Sequence, residues 1–162
     1  MDSLPPEGPL HISPLLTALA LGLVTSLSLG QQAIGQAIRP CEGLIDITMI
    51  SEPWDSYSRS YAEGAIRLFE AYVAPTMAAG AVIGILHPLP GDPYPTRVCT
   101  AVLHADPANP FFAEALVSRT TASYDPARGL TLRVPVSFPD FRQPIPAVEI
   151  TINQATGQVS AR

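Results

Sequence analysis

Hydrophobic positions in this chain follow two regimes that change near residue 96. Before it, apolar residues come in long runs. After it, they alternate with polar ones. The longest run lies between His11 and Arg39 and reads SPLLTALALGLVTSLSLGQQAIGQAI, with no charged residue. Ser13 suits a helix N-cap and Pro14 the first helical position. Arg39-Pro40 ends the run, because proline cannot continue a helix. A helix from Pro14 to Ile38 would be roughly 37 Å long at 1.5 Å per residue, enough for a bilayer core of about 30 Å. The pattern therefore predicts a transmembrane anchor. Two other readings are a buried helix in a soluble assembly and a cleaved signal peptide. Against the signal peptide, the leader MDSLPPEGPLHI is acidic, whereas such leaders are basic. Ala18, Gly22, Ser26 and Gly30 recur every fourth residue as a small-residue stripe, which in lipid lets helices pack closely.

A second helix is predicted from Asp55 or Ser56 to Ala74. Arg59, Glu63, Arg67 and Glu70 fall on one face at helical spacing and alternate in sign. Ala62, Ile66, Phe69 and Val73 form its apolar side. Trp54, Tyr57 and Tyr61 cluster at its start and suit a membrane–water interface or a protein interface. Gly43–Ile50 reads as a short strand. The apolar segment Thr76–Leu86 is too short to span alone and reads as a buried helix or strand.

The stretch from His87 to Pro95 holds Pro88, Pro90, Pro93 and Pro95, which favours an extended spacer. Beyond it the period is two. Arg97–His104 is a predicted strand, Phe111–Leu116 a short helix and Val117–Tyr124 a strand. Asp125–Gly129 is a turn. In Leu130–Phe138 the residues Leu130, Leu132, Val134 and Val136 alternate with Thr131, Arg133, Pro135 and Ser137. Pro135 inside that strand argues for an edge or a bulge. A strand with Val148, Ile150 and Ile152 inward and a last strand, Gln158–Ala161, complete an antiparallel meander. The expected class is α+β. Its expected parts are an anchor region 1–40, a strand–helix–apolar region 41–87, a linker 88–96 and a sheet domain 97–162.

Composition narrows the function. Charged residues make up 14% of the chain and the net charge is −5, so the basic footprint of a nucleic-acid binder is missing. All nine basic residues are arginine. Cys41 and Cys99 would close a loop of roughly 60 residues if bridged, worth about 4 kcal/mol in the chain-entropy account, and would require an oxidising compartment. Two unrelated buried thiols is the other reading. His11, His87 and His104 are the histidines. Cys99 and His104 would point to opposite faces of one strand, so they make no metal pair. No nucleophile elbow, phosphate loop, dinucleotide fingerprint or zinc motif occurs. The sequence thus names no catalytic, cofactor-binding or metal-binding residue. The expected function is a non-enzymatic structural subunit of an envelope-embedded or extracellular assembly, with protein subunits and a lipid bilayer as partners. Alternatives are a virion or particle subunit with its apolar helix buried between copies, and a small membrane-anchored enzyme.

Overall fold

A computed structural model describes residues 35–73, 80–94, 96–138 and 146–162. They form ten strands in two antiparallel sheets. The strands are β1 (Ala37–Pro40), β2 (Ser58–Tyr61), β3 (Ile66–Val73), β4 (Gly80–Pro88), β5 (Arg97–Leu103), β6 (Glu114–Ala115), β7 (Thr121–Asp125), β8 (Gly129–Ser137), β9 (Ala147–Asn153) and β10 (Gln158–Ala161). Sheet one has the order β1-β5-β4-β3-β2. Sheet two runs β10-β9-β8, and the far edge of β8 pairs first with β7 and then with β6.

The sheets pack face to face. Between them lie Ile66, Leu68, Ile83, Ile85 and Val102 from sheet one and Leu130, Leu132, Val134, Val148, Ile150 and Ile152 from sheet two. Chain crossings seal the sandwich at its rims. Ala81 and Phe112 exchange backbone hydrogen bonds of 2.7 and 3.0 Å, and the Gln36 N–H donates to Ala161 O at 3.2 Å. The outer face of sheet one has a second core. There Val73, Val82, Ala101 and Leu103 are covered by Cys41, Leu44, Ile45 and Met49.

This architecture corrects the α+β expectation. Among the described residues helix is confined to one turn, Trp54–Tyr57 (α1), and three short 3-10 turns. Among the described residues no helix is long and apolar enough to cross a membrane. The predicted anchor was to run to Ile38, but Ala37 and Ile38 belong to β1 and pair with Leu103 and Val102. Ala18, Gly22, Ser26 and Gly30 lie outside the described residues.

The predicted amphipathic helix is replaced by β2 and β3. Its supposed apolar side divides. Ile66 faces the inter-sheet core, Val73 the opposite core, and Ala62 is exposed. Its supposed charged face divides too, with Glu70 buried and Glu63 in a turn at φ 54°. The physical reason is that β3 and β4 are buried on both faces. Such strands carry continuous apolar runs that local periodicity cannot tell from a helix.

Other corrections are smaller. Gly43–Ile50 is a turn followed by a 3-10 turn, Ile47–Met49. Phe111–Leu116 is extended where it bridges the sheets. Val117–Arg119 is a 3-10 turn that precedes β7. The proline-rich segment reverses the chain between β4 and β5, neighbouring strands of sheet one. Pro135 sits in central β8, not at an edge. Its backbone faces the gap between β6 and β7, where Leu116 N–H donates to Pro135 O at 2.9 Å. No ladder donor is needed there, so proline is tolerated.

Gly84 has a packing reason to lack a side chain. It pairs with Phe69 across the ladder, and an added Cβ would run into the Phe69 ring. Gly84→Ala should therefore cost about 1–3 kcal/mol through overpacking. Phe69→Leu in the same chain should recover part of that loss. A double-mutant cycle by urea unfolding checks this, and strict additivity of the two changes would refute the contact.

Candidate functional site

Sheet two exposes a face that register organises into rows. Leu130, Leu132 and Val134 point inward, so Thr131, Arg133 and Pro135 point out. Ser123 stands opposite Thr131, Thr131 opposite Thr151, and Thr151 opposite Ser160. One row of hydroxyls thus crosses β7, β8, β9 and β10. The Thr131 and Thr151 hydroxyls lie 3.3 Å apart.

The next row is charged. Thr121 stands opposite Arg133 and Arg133 opposite Glu149. Glu149 and Arg162 exchange backbone hydrogen bonds of 2.9 and 3.0 Å, and the Arg162 guanidinium donates to the Glu149 carboxylate. A third row places Asn153 opposite Gln158. Glu149, Thr151 and Asn153 of β9 and Gln158, Ser160 and Ala161 of β10, with Arg128 and Arg162, line an open recess of about 340 Å³. Arg128 is held at its rim by Asp125, 3.3 Å away. The face presents alternating charge and hydroxyl dipoles on rigid strands rather than on loops. It is suited to polar recognition of another surface. It brings no His, Cys, Asp and Glu cluster together, and among the described residues no group of three such side chains is placed to hold a metal.

Two ionisable groups are buried elsewhere. Glu70 is 5% exposed and points from β3 toward the inter-sheet space. Its carboxylate accepts from the Ala115 N–H at 2.7 Å and from the Ser51 hydroxyl at 2.9 Å. It therefore ties the 50–51 segment, β3 and β6 together. Burial pushes this carboxyl above its usual value, the two hydrogen bonds pull the other way, and Glu114 adds to the rise. His87, 4% exposed, is the last inward residue of β4. Its Nε2 lies 3.0 Å from Thr100 Oγ1 and its Nδ1 3.2 Å from Pro88 O. Burial lowers its pKa, and the contact with Pro88 O opposes that.

These shifts have opposite signs in stability. The Glu70 term is fully present below the ordinary value of 4.5 and is lost as pH rises through the raised folded value. The His87 term is intact above 6.5 and is lost as pH falls toward the lowered folded value. Exposed turn aspartates Asp46, Asp106 and Asp125 are lowered first by backbone N–H donors, and they too lose their contribution in acid. Difference curves against the wild type isolate each group. Glu70→Gln should remove a slope in which stability falls with rising pH above 4.5. His87→Gln should remove a slope in which stability falls with acid below 6.5. Urea midpoints across pH 4–8 check both, and curves parallel to the wild type would contradict the assignments.

The residues singled out from sequence are dispersed or joined as follows. Cys41 and Cys99 form a disulfide with Cα atoms 5.3 Å apart. Trp54 and Tyr57 sit on α1, while Tyr61 lies in β2 and packs against the inter-sheet core. They do not share a helix face. The buried Tyr61 and Thr120 hydroxyls neighbour each other and have no other hydrogen-bond partner among the described residues. His104 belongs to an aromatic cluster, with its ring 4.8 Å from Phe138 and 6.1 Å from Phe112. One member of the hydroxyl row, Thr131, is legible in sequence, because alternation turns it outward with Arg133. Its members Ser123, Thr151 and Ser160 required the strand register. No protein family, no curated protein and no solved structure matches this chain.

Proposed function

We propose that the chain is a structural subunit of an extracellular multi-protein assembly and acts by protein contact, not catalysis. The observation that carries this reading is the unequal treatment of the two outer sheet faces. The outer face of sheet one is closed by the chain's own 41–50 segment, pinned by the disulfide. Among the described residues no segment covers the outer face of sheet two, which is ordered in register into polar rows. A disulfide of this kind persists in oxidising compartments, which supports the extracellular setting. A broad polar face built on strands favours a protein partner over a small molecule, whose sites are concave and mostly apolar.

The test uses the full chain in cells that express it natively. Recovered from the extracellular fraction under non-reducing conditions, it should migrate in a complex larger than itself, with both cysteines resistant to alkylation. Thr151→Glu places a charge in the middle of the hydroxyl row without touching the core. It should release the chain from that complex and leave its thermal midpoint unchanged. A wild-type chain that migrates alone, or one whose thiols react freely when freshly isolated, overturns the reading.

A further inference from the structure

We infer that β7 is a self-recognition edge, and that a second copy of this chain pairs with it antiparallel, Ala122 opposite Tyr124 of the partner. The inference rests on the assembly reading above and names one of its contacts. Among the described residues β7 pairs with β8 alone. Thr121, Ala122, Ser123 and Tyr124 are all exposed, Tyr124 at 65%. Both faces of the strand are exposed over Thr121–Tyr124, and among the described residues no strand pairs with its outer edge. Soluble proteins usually blunt such an edge with lysine, proline, a bulge or an inward charge. None of these lies within Thr121–Tyr124; the strand's one charge, Asp125, stands at its end, where its carboxylate accepts from the N–H groups of the following turn.

Backbone direction on β7 follows from β8. Leu116 N–H reaches Pro135 O on one side of β8, and Val136 N–H reaches Pro146 O on the other. Odd residues of β8 thus aim their N–H and C=O groups at β6 and β7. Thr121 and Ser123, opposite Arg133 and Thr131, aim theirs back. By alternation the N–H and C=O groups of Ala122 and Tyr124 point away from the sheet.

Those four groups on each copy select one register. With Ser123 opposite its symmetry mate, Ala122 of each copy faces Tyr124 of the other, and both pairs exchange two hydrogen bonds. Sliding the partner one way sets Ala122 opposite Pro126, which has no N–H to give. Sliding it the other way sets Tyr124 opposite Thr120, whose N–H is already donated to Val117 O. Side chains agree with the central register. The exposed Tyr124 ring lies across a methyl group, and Ser123 faces Ser123, which continues the hydroxyl row from one sheet into the next. Charge agrees as well. Arg119 precedes β7 and Asp125 ends it, so antiparallel pairing brings each Arg119 toward the other copy's Asp125, a carboxylate that also holds its own Arg128 at 3.3 Å, whereas parallel pairing would align like charges. The arrangement is isologous and closed, so it makes a dimer rather than a fibre.

Ser123→Cys tests the register directly, because the chain's own cysteines are joined to each other. Opposed residues of a non-hydrogen-bonded antiparallel pair lie close enough for a bridge. Under mild oxidation the purified Ser123→Cys chain should form a disulfide-linked dimer, while Thr131→Cys, one strand inward, should not. Ala122→Pro removes an outward N–H and leaves the ladder to β8 intact. It should shift the otherwise wild-type chain from dimer to monomer in sedimentation velocity with no change in far-ultraviolet circular dichroism. Equal cross-linking of the two cysteine variants overturns the inference, as does a wild-type chain that sediments as a monomer at every concentration. In that monomeric case, recovery of the native chain in a larger complex would show that the assembly reading survives and only the self-pairing fails.

Discussion

Val134→Asp is expected to abolish folding, while Arg133→Gln, one residue away, leaves it nearly intact. Val134 is completely buried at the centre of β8, between the two sheets. Its surroundings are apolar: Leu132 and Val136 lie on the same strand and Val148 opposite on β9. A carboxylate there finds no donor. It must either stay charged in a low-dielectric site or take up a proton, and both cost free energy. A loss of about 4 kcal/mol or more is expected, a large fraction of the total stability of a domain this size. Arg133 is exposed on the outer face opposite Glu149. Removing its charge sacrifices one cross-strand pair, worth under about 1 kcal/mol. Thermal unfolding of the two variants provides the check. Equal midpoints would contradict the alternation along β8 and, with it, the placement of the core.

Replacing both Cys41 and Cys99 by alanine is expected to cost about 4 kcal/mol in the chain-entropy account, from a loop closed across 58 residues of sequence separation. The bridge has a structural role beyond chain entropy. It joins the end of β1 to β5, where the Cys41 N–H also donates to Cys99 O at 3.1 Å. Cys41 O in turn accepts from the Leu44 and Ile45 N–H groups at 2.9 and 2.8 Å. The 41–50 segment, which covers the outer core of sheet one, hangs from this point. Its amides should therefore lose hydrogen-exchange protection first in the double variant, ahead of those in β8 and β9. Urea unfolding of the wild type with and without reductant should show the same loss. Unchanged stability and uniform protection would mean that the backbone bonds alone hold the segment.

The sequence by itself determined the alternating strands β8, β9 and β10 of sheet two, because those strands bury one face only; the first strand of the expected 97–162 sheet domain, Arg97–His104, instead lies in sheet one between β1 and β4. Alternation is then forced by the pleat, and Leu130, Leu132, Val134 and Val136 could be assigned inward without any partner. It determined the outward set Thr131 and Arg133 for the same reason. It also marked the turns at Asp125–Gly129 and Asn153–Gly157, where aspartate, asparagine and glycine have intrinsic turn chemistry. Gly129 and Gly157 indeed adopt φ of 99° and 70°.

Only the tertiary structure decided the rest. β3 and β4 are buried on both faces, so their apolar residues follow each other without a period, and the second face is buried under the 41–50 segment, which arrives from another part of the chain. The burial of Glu70 depends on β6 and Ser51 arriving from distant parts of the chain. The hydroxyl and charged rows depend on register between four strands, and the open edge of β7 depends on which neighbours are absent from its side. Local pattern reports how each strand meets water. Which strands meet each other is set by long-range pairing, which a single stretch of sequence does not encode.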